Sequence, residues 1–285
     1  MTAGRSALIQ VENLKVRFDT PKGQVNAVNG ISFTLGRERL GIVGESGSGK
    51  SQTGKAILRL LDQNGRVSAD RLSFDGIDLL TADEQTMREI RGSRISMVMQ
   101  DPRYSLNPTM KVGAQIAEAF LAHTDASKKA AKERAMDMLS TVQIRNPATV
   151  YDQYPHQVSG GMGQRIMIAM MLIPNPDVII ADEPTSALDV TVQLQVLALI
   201  DRMVQDRGMG LIFISHDLQL VSTFCERVLV MYGGRILETL PASELGNARH
   251  PYTRGLLDCM PDLGRKKRRL PVLERDAGWL RNGPQ

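Results

Sequence analysis

The chain contains only two cysteines, Cys225 and Cys259, and no Cys-x-x-Cys spacing. Zinc and iron–sulfur chemistry therefore lack a ligand set, and two free thiols in a reducing compartment are expected. Aromatic residues make up 4% of the 285 residues, which removes most platforms for base stacking. Neither sign of charge dominates: 35 basic and 31 acidic residues leave a net charge of +4, too small an excess to imply nucleic acid. Long apolar runs are also missing. The longest, Ile166–Ile173, falls far short of the roughly 20 residues that cross a bilayer. Residues 1–7 lack the apolar stretch of a signal peptide, so neither a membrane span nor a leader is expected.

What is present suits a packed globule. Hydrophobic residues reach 42%, enough for one large or two modest domains with a sizeable core. Ile9–Phe18 and Gln24–Leu35 alternate like strands around a Pro21-Lys22-Gly23 turn. Short strands are predicted at Arg39–Val43, Arg71–Phe74, Ile95–Met99, Val178–Ala181 and Gly210–Ile214. The last two are unbroken apolar runs, as expected of strands buried on both faces. Arg227–Met231 and Arg235–Leu240 read as a hairpin through Gly233-Gly234. Helices are predicted at Ser51–Leu61, Val112–Leu121, Ser127–Thr141 and Gly163–Leu172, so a helical stretch of about 105–170 interrupts an α/β core. Ala242–Met260 reads as helical on both sides of His250-Pro251. The basic run Arg265–Arg269 reads as a solvated terminus, with attraction to anionic lipid headgroups as the other reading.

Gly44-Glu45-Ser46-Gly47-Ser48-Gly49-Lys50-Ser51 satisfies G-x-x-x-x-G-K-[ST], between an apolar strand and an amphipathic helix. Glycines let the backbone curl so that several N–H groups face one anion, and the helix start adds its positive dipole end. Lys50 then reaches the β- and γ-phosphates of a nucleotide, and the Ser51 hydroxyl ligates Mg²⁺. Gln52 follows in the same nucleotide-binding stretch. Downstream, Val178–Ala181 runs into Asp182 and Glu183. Paired carboxylates at the end of a buried strand are costly unless they meet a cation or a reacting proton. Asp182 suits a magnesium partner, and Glu183 suits a general base that orients the attacking water.

Further segments fall in a definite order. Ser159-Gly160-Gly161-Met162-Gly163-Gln164-Arg165 resembles the signature motif of the ATP-binding cassette (ABC) family. Gln100 resembles that family's glutamine loop, His216 its switch histidine, and Ser186-Ala187-Leu188-Asp189 its D-loop. Phe18 stands where the family stacks an aromatic on adenine. The resemblance covers roughly residues 8–240. It implies a P-loop NTPase (RecA-like) α/β cassette with an antiparallel β subdomain and a helical signature subdomain. It further implies residues 1–245 as the nucleotide-binding domain and 246–285 as a C-terminal extension. ATP and Mg²⁺ are the implied ligands, the metal being held by Ser51, Gln100 and Asp182. Lys50, Gln100, Glu183 and His216 are the implied hydrolytic set. Ser159, Gly160, Gly161 and Gln164 would act on the nucleotide of an opposite subunit.

The run Gln100-Asp101-Pro102, Ser105–Pro108, Ala187–Gln193 and His250–Leu257 resemble the peptide/nickel importer ATPases of bacteria. That resemblance implies two membrane permeases, an extracytoplasmic solute-binding protein, usually a second ATPase, and a peripheral place on the cytoplasmic face of the inner membrane. Two features depart from it. Gly163 stands where such relatives usually carry arginine, read here as the loss of one surface cation. Many relatives also have a cysteine-rich C-terminal segment, whereas only Cys259 follows Leu257, so no cluster is expected. A soluble, non-transport ABC ATPase and a module that binds ATP without turnover remain as rivals. The first usually shows two cassettes in one chain or a long coiled-coil insertion; intact Glu183 and His216 argue against the second.

Overall fold

The computed structural model describes residues 7–100, 105–186, 188–259 and 276–280. The basic run Arg265–Arg269, the pair Asp101-Pro102 and Ala187 lie outside the described residues. In chain order the strands are β1 (Ile9–Thr20), β2 (Gly23–Leu35), β3 (Arg39–Val43), β4 (Gly65–Ser68), β5 (Arg71–Phe74), β6 (Ile77–Asp78), β7 (Ile95–Val98), β8 (Val178–Asp182), β9 (Gly210–Ser215), β10 (Arg227–Tyr232) and β11 (Arg235–Pro241). The helices are α1 (Lys50–Ile57), α2 (Glu84–Ile90), α3 (Val112–Leu121), α4 (Lys128–Thr141), α5 (Pro147–Tyr151), α6 (Gly160–Leu172), α7 (Val190–Arg207), α8 (Leu218–Phe224) and α9 (Pro251–Asp258). The chain divides into two compact units, residues 1–81 with 212–285, and residues 82–211.

The first unit holds an antiparallel sheet in the order β2-β1-β5-β6, with β4 also paired to β1. Alternation drives it: Ile9, Val11, Leu14 and Val16 are buried while their neighbours face outward. The break in that alternation falls at Asn13, whose positive φ coincides with a register shift between β1 and β2. The same unit contains β3 between β10 and β9, with β10 parallel to β3 and antiparallel to β11. The Gly233-Gly234 turn takes positive φ at both residues, which suits a two-residue hairpin. The side chain of α8 residue Val221 packs so close to β3 that a Cβ on Gly41 would lie 2.4 Å from it.

The second unit pairs β7 and β8 in parallel and contains α2 to α7; α6 packs on β7, and α3, α4 and α5 pack on one another, with α3 and α4 also on α6. All five residues of β8 are buried, as its unbroken apolar run requires.

Three predicted helices end or begin elsewhere. α1 stops at Ile57 rather than continuing to Leu61. Arg59 adopts a left-handed φ of 52°, its N–H donates to Ala56 O, and the Leu60 N–H donates to Lys55 O. This is a Schellman cap built on arginine instead of glycine, and it turns Leu60 outward. α6 begins at Gly160, not Gly163, because the Ser159 hydroxyl accepts from Met162 N–H and caps the turn. Of the expected helices around His250-Pro251, the first is a 3-10 turn at Ala242–Asn247; α9 begins at the proline, with His250 as its cap.

Candidate nucleotide site

In the first unit, β3 ends at Val43 and the chain curls through Gly44–Gly49 into α1. Gly49 has φ +101°, and a Cβ there would lie 2.4 Å from Ala27 O. Gly44 has φ +151°, and a Cβ there would lie 2.1 Å from Met231 O. Both positions therefore exclude any side chain, and β2 and β10 close on the loop from behind. The loop is also tied to the hairpin turn, since Gly234 N–H donates to Ser48 O at 3.0 Å. Lys50 is 5% exposed and donates from Nζ to Gly44 O at 2.7 Å and Glu45 O at 2.9 Å. These bonds hold the loop curled around the ammonium.

The loop has the chemistry of an anion cradle. Ser48 Oγ is buried without a hydrogen-bond partner among the described residues. A Cβ at Gly47 would meet nothing within 4 Å, so that side of the loop is open. A buried cation, an unsatisfied hydroxyl and N–H groups at a helix start fit a phosphate chain. Ser51 and Gln52 lie half-buried in the first turn of α1. Phe18 is half-buried on β1, paired with Val25 and Gly65, and a Cβ on Gly65 would lie 2.8 Å from its ring. His216 is exposed directly after β9, ahead of Asp217, whose carboxylate accepts from Leu220 N–H and caps α8.

In the second unit, β7 and β8 end beside each other, and their ends bring two predicted residues together. Gln100 Nε2 donates to Glu183 Oε2 at 3.1 Å. Glu183 has φ +47°, a left-handed backbone that is uncommon for a side-chain-bearing residue and costs about 1–3 kcal/mol. Ser186 stabilises this turn, donating to Glu183 O from its hydroxyl at 3.1 Å. Asp182 is 7% exposed at the strand end. Its carboxylate and the Ser51 hydroxyl are hard oxygen donors of the kind Mg²⁺ takes.

At the start of α6, Ser159 and Gly160 are exposed. Met162 N–H bonds the Ser159 hydroxyl and Gly163 N–H bonds Ser159 O, so the Gly160 and Gly161 N–H groups point out of the helix start. Gln164 is buried and donates to Pro184 O, which ties α6 to the turn after β8. Gly163 is buried too, which corrects its reading as a surface position: an arginine there would have to enter the packed side of α6. Leu188 N–H bonds Thr185 O, and Asp189 caps α7 by accepting from Val192 N–H.

One contact escaped the sequence reading. Glu45 N–H donates to Tyr252 Oη at 3.0 Å. His250–Leu257 stood out only as a resemblance, and nothing in its composition points to a phosphate loop far away in the chain.

Comparison with known proteins agrees with this geometry. The family described as ABC transporter matches residues 28–186. The dipeptide transport ATP-binding protein DppD of Haemophilus influenzae is 46% identical over 270 residues, covering 94% of this chain and 82% of that protein. The oligopeptide transport ATP-binding protein OppD of Bacillus subtilis is 48% identical over 259 residues, covering 90% and 72%. Among solved structures, cbiO1 from Clostridium perfringens, described as part of an ABC transporter complex, superposes with a TM-score of 0.72 at 26% identity, covering 85% of this chain and 91% of that one. The dimeric bacterial ABC transporter cassette MJ0796 has a TM-score of 0.74 at 24% identity, covering 82% and 98%, and shows the shared fold. The chain belongs to the ABC transporter family, as one of its ATP-binding cassettes.

Proposed function

We propose that this chain hydrolyses ATP to drive import of peptides, or of a related solute such as nickel, through partner membrane permeases. The observation that carries the reading is the buried Lys50 ammonium inside a loop whose Gly44 and Gly49 admit no side chain. Peptide as cargo rests on the dipeptide and oligopeptide transport roles for which relatives 46–48% identical to this chain are named.

Lys50 and the loop N–H groups hold the phosphate chain. Magnesium, held by Ser51, Gln100 and Asp182, would supply charge neutralisation at the β- and γ-phosphates. Glu183 accepts a proton from the attacking water as its oxygen bonds to the γ-phosphorus and the bond to the β–γ bridging oxygen breaks. The Gln100 amide orients the carboxylate for that task. His216 donates a hydrogen bond to the γ-phosphate oxygens as charge develops there. Phe18 stacks on the adenine. The Gly160 and Gly161 N–H groups serve the γ-phosphate of a second cassette, so each active site takes half its groups from each of two subunits. That second subunit is a homologous ATPase or another copy of this chain. Residues 1–245 form the nucleotide-binding domain and 246–285 an extension. Among the described residues no helix is long and apolar enough to cross a membrane. Permeases and an extracytoplasmic binding protein would therefore supply the membrane path and the solute contacts, with this chain peripheral on the cytoplasmic face.

The test is dilution. Specific ATPase activity of the purified full chain should rise with protein concentration, and rise again when a sister ATPase and the permeases are added. An activity independent of dilution, in a species that light scattering shows to be monomeric, removes the shared-site reading. No hydrolysis under any of these conditions removes the ATPase reading itself.

A further inference from the structure

Tyr252 lies on α9, outside every nucleotide-contacting segment, yet it is completely buried. Its ring packs 4.7 Å from Tyr232 at 46°, and 5.6 Å from Trp279 at 61°. Trp279 also meets Tyr232 edge-on at 5.6 Å. The backbone is held as well: Tyr252 N–H donates to His250 Nδ1 at 3.1 Å, which caps α9. That bond requires a lone pair on Nδ1, and burial lowers the imidazole's affinity for a proton, with Glu238 opposing. With ring and backbone both fixed, the Tyr252 hydroxyl is delivered to one place.

That place is the Gly44–Glu45 peptide. In a trans peptide the C=O and the N–H point in opposite directions. Gly44 O faces inward and accepts from Lys50 Nζ at 2.7 Å. Glu45 N–H faces outward and donates to Tyr252 Oη at 3.0 Å. One peptide is thus held from both sides, by the phosphate-binding lysine and by the tyrosine of α9. When Lys50 turns to a nucleotide phosphate, its hold on Gly44 O slackens, and the outer bond alone of these two still sets the orientation of the peptide. A flip of the peptide would turn the Glu45 N–H inward against the Lys50 ammonium and remove the carbonyl that positions that side chain.

We propose that Tyr252 is a positioning residue for the phosphate loop, its hydroxyl oxygen fixing the Gly44–Glu45 peptide in the orientation that nucleotide binding requires. The proposal rests on the ATP reading above and extends the site to the C-terminal helix. Tyr252→Phe keeps the ring stack and removes only the hydroxyl. In the full-length chain it should raise Kd for a fluorescent ATP analogue, and KM for ATP, about tenfold. kcat should stay within about twofold, because the hydrolytic groups are untouched once the site is loaded. Tyr232→Phe, which trims a neighbouring hydroxyl of the same cluster, should leave Kd unchanged. A purely structural role would lower the melting temperature of Tyr252→Phe without nucleotide and leave Kd and KM where they were; that result overturns the proposal. If Tyr252→Phe fails to fold, Trp279→Ala loosens the same ring and should raise Kd about threefold, with an unchanged Kd again overturning the proposal. Failure of the unaltered chain to bind the analogue would instead sink the ATP reading on which the proposal stands.

Discussion

The loop after β3 and the turn after β8 both leave buried strands, and both carry unusual backbone angles. In the phosphate loop those angles fall on Gly44, Gly47 and Gly49, where they cost little strain. After β8 the angle falls on Glu183, which has a side chain and bears the strain. The loop is braced from outside by Ala27, Met231, Gly234 and Tyr252. The turn after β8 is held by its own Ser186, by Gln164 through Pro184 O and, through the Glu183 carboxylate, by Gln100. A binding element can be built from backbone and closed in by neighbours. The carboxylate proposed as the general base instead sits on a side-chain-bearing residue in a left-handed conformation, with Gln100 donating to it and Ser186 donating to its backbone carbonyl.

That contrast can be tested by taking each region apart. Lys50→Ala removes the cation of the loop. ATP affinity should fall about 100-fold and turnover about 10³-fold, measured by fluorescent-ATP titration and phosphate release; near-normal affinity would mean the loop does not hold the phosphates. Gly49→Ala places a Cβ against Ala27 O at 2.4 Å. It should cost roughly 2–3 kcal/mol in urea unfolding without nucleotide; an unchanged midpoint would show the loop to be looser than described. Glu183→Gly should act in the opposite direction. It relieves the left-handed strain and should raise stability by about 0.5–1 kcal/mol while abolishing hydrolysis. Loss of stability on that change would show that the Gln100 bond outweighs the strain.

Much of the architecture was legible from periodicity. The hairpin at Gly233-Gly234 and the buried strands β8 and β9 follow directly from their apolar runs. The phosphate loop was legible because glycine spacing is itself the backbone requirement. No sequence pattern announces α7. Its apolar residues sit on more than one face, with Val190 72% exposed and Leu194 61% exposed, so no single stripe marks it. The sequence pattern carries α1 too far because its cap uses Arg59 where glycine is the usual signal. At the site, residue types pointed to Gln100 and Glu183 separately, but their hydrogen bond depends on the parallel pairing of β7 with β8, which no local pattern encodes. The Tyr252 bond to Glu45 was illegible for the same reason: it joins segments remote in the chain through a single hydroxyl.

The central claim is that binding and chemistry reside in different elements, the loop and Glu183. Glu183→Gln tests it most directly, since the amide keeps the shape of the side chain and cannot take a proton from water. Fluorescent-ATP titration and phosphate release should be measured on the same preparation of the full chain. The account predicts ATP binding at wild-type strength with turnover reduced by about 10² or more. Hydrolysis within a few-fold of the unaltered chain would contradict it.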